Sequence, residues 1–185
     1  MGGNIVKYIR FQDIPGFTHP GSYAVDYPLD HLVRWIREEQ ETMGLDLEPP
    51  FQRGHVWTTK QQQRYMEFLL RGGRTGRDLY FNCPEWRNQQ PAGAYKAYVC
   101  VDGLQRITAI MRFIDNDLKV FGSYYREYED SMRLVQDTMR VHINDLKTEA
   151  AVLQWYIDMN AGGTPHSPKE ISRVQQMLDE LKAKG

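Results

Sequence analysis

The sequence predicts an α+β fold, and three observations carry that expectation. Apolar residues recur at helical spacing in several separate stretches, short β-rich runs stand between those stretches, and Gly and Pro are spread along the chain without isolating a linker. At 185 residues the chain has the size of one domain, which buries on the order of 70% of its unfolded surface. Its 41% hydrophobic and 25% charged residues exclude disorder and rod-like assemblies. No internal repeat is present, so one compact domain is expected.

Element by element, an irregular lead runs to Tyr27, and Leu29, Leu32, Val33 and Ile36 then mark one face of a helix from Pro28 to about Thr42. Residues 59–71 form a second helix with Tyr65, Met66, Leu69 and Leu70 inward, stopped by Gly72 and Gly73. LYFN at 79–82 reads as a short strand. AYVCV at 97–101 is a continuous β-rich run, as in a strand buried on both faces, and it ends at Asp102-Gly103. Leu104, Ile107, Met111 and Ile114 continue as a helix. A strand at 140–143 precedes a helix from Thr148 with Val152, Trp155, Tyr156 and Met159 on its apolar side. Ser167, Pro168 and Glu170 open a last helix as N-cap, first-position Pro and capping-box acid, followed by Ile171, Val174, Leu178 and Leu181.

With 23 basic and 24 acidic residues the net charge is -1, so any nucleic-acid surface has to be local. Cys83 and Cys100 form neither a CxxC pair nor a disulfide framework, which fits reduced thiols in the cytoplasm. The start MGGNIVKYIRFQD has no apolar signal core, and no apolar run approaches the ~18 residues of a membrane span. A chain neither secreted nor membrane-embedded is expected.

Strand, Asp102-Gly103, helix is the arrangement that points free N–H groups of a helix N-terminus past a strand end, where they suit a phosphate. Arg106 would clamp an anionic oxygen, Gln105 shares the first turn, and Thr108 adds a hydroxyl one turn on. The plainer reading is a turn with an N-cap and a solvated Arg106. Walker, GxGxxG, HExxH and GxSxG signatures are absent. PPFQRGHVW at 49–57 sets Gln52, Arg53, His55 and Trp57 together, either as a site wall or as a loop anchored by Phe51 and Trp57. From Arg53 to Arg77, six basic residues (Arg53, Lys60, Arg64, Arg71, Arg74, Arg77) face one acid, Glu67. Such a strip either contacts a nucleic-acid backbone or is a solvated helix face. NAGGTPHSPKE at 160–170 offers Asn160, Thr164 and His166, or serves as a helix connector. His19, His31 and His142 have no partner in the pattern.

Together, FQRGHVW, the LLRGG helix end, YVCVDGLQRITAI and MNAGGTPHSPKEI resemble, in order and spacing, the N-terminal domain of modification-dependent restriction enzymes of the GmrSD type, whose hallmark is a DGQQR motif. The resemblance covers roughly residues 23–180. It implies a ParB/sulfiredoxin-like small mixed sheet with surrounding helices and a helical C-terminal part: a single domain over 1–185, with about 23–147 as its core and 148–185 as helices packed on it. It makes Asp102 to Arg106 the nucleotide phosphate site, with Phe51, Gln52, Arg53 and Trp57 matching the family's FQR segment and Asn160, Gly162, Gly163, Pro165 and Ser167 its later one. Leu104 stands where the motif has its first Gln, while Gly103 and Arg106 are kept.

The function implied is an NTP-binding domain, ATP or GTP foremost with Mg²⁺, that hydrolyses or transfers a phosphoryl group in DNA modification or phage–host conflict. One version is a kinase acting on a modified base in DNA. Asp102 and Arg106 would be catalytic, Asp102 also holding the metal, and Gln52, Arg53, Gly103, Gln105, Thr108, Asn160 and Gly163 would bind nucleotide. Partners would be DNA carrying modified bases and a separate nuclease or defence subunit, since family members that cut DNA carry an HNH domain and this chain ends at Gly185. Freestanding versions are similar to proteins encoded by phages or mobile elements, which would place this one in the host cytoplasm. The alternative is a non-catalytic module that binds DNA or a restriction partner. A nuclease within this one domain finds no His/Asp metal constellation in the sequence.

Overall fold

The computed structural model describes residues 7–14, 16, 22–52, 54–86, 95–130, 138–161 and 168–184. Four strands form one mixed sheet in the order β1-β4-β2-β3: β1 (Tyr23–Pro28), β2 (Asp78–Asn82), β3 (Val99–Asp102) and β4 (Thr138–Asn144). β1 runs antiparallel to β4 and β3 antiparallel to β2, while β2 and β4 at the centre are parallel. Among the described residues five α-helices surround it: α1 (Leu29–Thr42), α2 (Thr59–Leu70), α3 (Leu104–Ile114), α4 (Glu149–Ala161) and α5 (Pro168–Lys184). The fold is therefore α+β, as the pattern of elements predicts.

Period-two alternation divides the sheet between two cores. Leu79, Phe81, Cys100, Met139, Val141 and Ile143 turn to one face, where they pack with Leu32 and Ile36 of α1, Met66 of α2 and Ile107, Ile110 and Phe113 of α3. Val99 and Val101 turn to the other face, into a cluster with Val152 and Tyr156 of α4, Val174 and Leu178 of α5, and Phe51. β3 is thus buried on both sides, as its unbroken run predicts. On β4 the same face carries Arg140, paired with Asp26 at 2.8 Å, and His142, 2.7 Å from Asp78 and stacked on Tyr80. His142 therefore has partners that the sequence pattern did not reveal.

Helix ends follow local chemistry. Thr58 and Gln61 form a reciprocal capping box that starts α2. At the other end Gly72, at φ 83°, and Gly73 return N–H bonds to Leu69 and Phe68, both at 3.0 Å, in a Schellman closure. Two expectations need correction. The lead to Tyr27 is not irregular to its end: it closes in β1, an edge strand in which no side chain is buried, so it lacks an apolar alternation. Pro28 ends that strand and caps α1, so the first helical residue is Leu29. The Ser167 cap lies outside the described residues.

Burial sets the thiol chemistry. Cys83 and Cys100 are both buried and free, and burial pushes the Cys100 thiol up from its ordinary 9.0 to about 12 and raises Cys83 as well. Burial likewise raises Tyr23 and Tyr95 to about 12. The unfolded chain releases these protons from about pH 9 while the native state retains them, so stability is expected to fall as pH rises from about 9 toward 12. Denaturant melts across that range check the slope. A thiol reagent at pH 8 should find both cysteines only after unfolding, and rapid modification of the native protein would contradict this account of their burial.

Candidate functional site

β3 delivers Asp102 to the end of the sheet, and Gly103 turns the chain directly into α3. Gly103 sits at φ 127°, and a Cβ there would lie 2.5 Å from Leu79 Cδ2. The absent side chain is thus explained by backbone conformation and by contact with β2, in addition to any approach of a ligand. Among the described residues no side chain caps α3. Its first-turn N–H groups, which have no intrahelical partners, open on a cleft of about 510 Å³.

Gln52, Trp57, Tyr65, Phe68, Thr75 and Gly76 line one part of this cleft, and Asp102 to Arg106 with Met159 and Asn160 line the rest. Among the described residues lining it, Arg106 is the one cation and Asp102 the one anion. They form an i, i+4 ion pair in direct hydrogen-bond contact through Asp102 Oδ2, with side chains 20% and 34% exposed. That leaves the guanidinium reachable and already aimed.

The 49–57 loop is held from several directions. Phe51 is buried edge-on against Tyr156, with ring centroids 5.5 Å apart. Arg173 of α5 donates to the carbonyls of Pro50 (2.7 Å), Phe51 (2.8 Å) and Gln52 (3.3 Å). Gln52 Nε2 donates to Cys100 O at 2.5 Å, bridging loop to β3. Gln105 Oε1 accepts from Val56 N (2.9 Å) and Trp57 N (3.0 Å) while its Nε2 donates to Gly54 O (3.2 Å). The buried Gln62 donates to Trp57 O at 3.1 Å, lies 2.6 Å from His55 Nε2, and accepts from Arg112 at 2.6 Å. Phe51 thus anchors the loop, and Gln52 and Trp57 line the cleft.

The structure brings Gln52, Asp102, Gly103, Gln105, Arg106 and Asn160 to one cleft. Gln105 spends its amide on the loop, and Asn160 donates to Tyr156 O at 2.7 Å on its own helix. Thr108 does not join them; its hydroxyl donates to Leu104 O at 2.8 Å, one turn back along α3. Arg53 and Gly163, with Thr164, Pro165 and His166, lie outside the described residues.

In the basic strip, Lys60, Arg64, Arg71 and Arg74 are exposed. Arg77 departs from them, because its guanidinium donates to the carbonyls of Gly73 (2.5 Å), Thr138 (2.8 Å) and Leu69 (2.9 Å) and ties the end of α2 to β4. It is a structural fastener, with its donors committed to main chain. Tyr65 and Phe68, which line the cleft beside Trp57, were not assigned to the site from sequence. The signal was present in Phe68, which falls with Lys60, Arg64 and Arg71 at i, i+4, i+8 and i+11 on the polar side of α2.

Residues 34–175 match the family model described as GmrSD restriction endonuclease, N-terminal domain. A search of curated proteins returns no match. No helix among the described residues is long and apolar enough to cross a membrane.

The matched span contains both ends of the Gln105 tether, which is open to a direct test. Gln105→Ala removes the acceptor of two loop N–H groups, one exposed and one half-buried, and should cost about 0.5–1.5 kcal/mol. Amide exchange at Val56 and Trp57 should accelerate well beyond exchange in the β2–β3 ladder. Unchanged protection of those two amides would contradict the tether.

Proposed function

Because this chain belongs to the GmrSD restriction endonuclease N-terminal domain family, we propose that its cleft is a nucleoside triphosphate site serving a restriction system, with the phosphates at the amino end of α3. One observation carries the reading: an uncapped helix N-terminus, one aimed guanidinium and one carboxylate meet in a single cleft. Its volume of about 510 Å³ suits a ligand of nucleotide size. Helix N–H groups and the partial positive charge of the helix end favour anions, and Arg106 adds formal charge and directional donors.

A lone carboxylate fits Mg²⁺, which is commonly held by one or two carboxylates and by the substrate's own phosphates. Asp102 would hold it through Oδ1, since Oδ2 is paired with Arg106. The ion supplies charge neutralisation at the phosphates. Arg106 orients the phosphate chain and stabilises charge there, while Gln52 and Asn160 contribute from the loop and from α4. The reaction is hydrolysis, or transfer of the terminal phosphoryl group to an acceptor hydroxyl such as that of a modified base in DNA. Radiolabel found on an acceptor rather than in free phosphate separates the two.

Thermal melts with ATP, GTP and CTP plus Mg²⁺ test the site. A nucleotide at about 100 times its Kd should add ~2.7 kcal/mol, or roughly 5–11 °C for a chain this size. Arg106→Ala should abolish the shift, and phosphate release in the same samples reads turnover. No shift for any nucleotide in the wild-type protein would remove this reading.

A second reading, a DNA-contacting module in which the nucleotide acts as a switch, is favoured by the stripe of Lys60, Arg64 and Arg71 along one face of α2 beside the cleft. It expects DNA affinity that falls steeply with salt. Arg64→Ala and Arg71→Ala should each lower the slope of log K against log salt by about one. An unchanged slope would sink this second reading.

A further inference from the structure

The cleft has two chemically distinct ends, and the phosphate reading uses only one. The amino end of α3 is polar, whereas α2 and the residues flanking it present Trp57, Tyr65 and Phe68. Tyr65 is fixed: its hydroxyl donates to Gly76 O at 2.9 Å, its ring lies 5.3 Å from that of Trp57, and burial pushes its pKa up. Phe68 is different. It is 45% exposed, and its ring packs against Gly73, where a Cβ would come within 2.4 Å of Cε1 and Cζ. An exposed aromatic ring backed by a glycine at the edge of a cleft is a stacking surface for a flat partner.

We propose that Phe68 and Trp57 form the nucleobase subsite of this cleft, stacking the base of the nucleotide whose phosphates lie at Arg106. The inference rests on the phosphate reading and adds the part of the ligand that the reading leaves unplaced. The occupant follows from continuity: one cavity joins an anion-binding end to an aromatic end, and a nucleotide is an anionic chain attached to a planar ring. Thr75 and Gly76 continue the lining beside the aromatic residues. Stacking discriminates weakly between bases, since each has a π-face, so ATP, GTP and CTP should bind within about tenfold of one another.

Binding of ATP, inorganic tripolyphosphate and adenosine to the full chain, read by calorimetry and by Trp fluorescence, tests the proposal. Phe68→Ala should weaken ATP about 5- to 150-fold and leave tripolyphosphate unchanged. Phe68→Leu, which keeps an apolar side chain without a ring, should behave like Phe68→Ala, while Phe68→Tyr should restore affinity. Gly73→Ala displaces the ring without altering it and should weaken ATP in the same direction. Equal affinity for ATP and tripolyphosphate, insensitive to Phe68, overturns the base subsite and leaves the phosphate site standing. If neither ATP nor tripolyphosphate binds, the phosphate reading fails. Adenosine at millimolar concentration then tests the stacking subsite by itself: fluorescence quenching that Phe68→Ala removes upholds a base site at Phe68 and Trp57 without the phosphate end, and its absence overturns the subsite as well.

Discussion

The β3–α3 junction depends on a side chain that is not there. Gly103 adopts φ 127° with Leu79 where a Cβ would fall, and that contact lets α3 leave the strand end immediately, against the sheet. Any other residue would have to move β2 or relax the turn, at a cost of a few kcal/mol from strain and overpacking together. Because β2 lies next to the central β4, displacement there would spread through the sheet. The cleft inherits its geometry from this junction: Asp102 ends the strand, Arg106 lies in the first turn of α3, and that turn brings them into contact.

Around that fixed point the 49–57 loop is placed by long polar side chains reaching main-chain groups. Gln52, Gln62, Gln105 and Arg173 come from the loop itself, α2, α3 and α5, and each bonds backbone across a long stretch of sequence or across an element boundary. Backbone groups of a loop near a core need partners, and here side-chain amides supply them where no strand is adjacent. The arrangement explains why a segment without regular secondary structure can serve as a defined wall. Rigidity of that kind favours ligand binding, since little ordering remains to be done when the ligand arrives.

What the sequence made legible follows the range of the forces involved. α2, α3 and the doubly buried β3 were readable because periodicity and Gly punctuation act within a few residues. β1 was not, since an edge strand with no buried side chain leaves no alternating apolar pattern. The order β1-β4-β2-β3 is likewise set by packing between distant segments. At the site, Asp102 and Arg106 were recognisable from one local motif. The roles of Gln105 and Arg77 depend on carbonyls and amides 49 and 61 residues away, and the Asp78–His142 pair spans 64. No local rule reaches that far, so a glutamine in a motif and an arginine in a basic strip looked like ligand contacts.

The clasp of Arg173 on the carbonyls of residues 50–52 also sets a schedule. Those partners are 121 to 123 positions apart, and a ribosome adding ~5–20 residues per second needs roughly 6 to 25 seconds to cover that distance. Sheet and first core can assemble in the interval, but the loop carrying Gln52 must wait for α5 to emerge and dock. Maturation of the cleft is thereby deferred until α5 has been made, and a ribosome-bound chain lacking α5 has a wall without its latch.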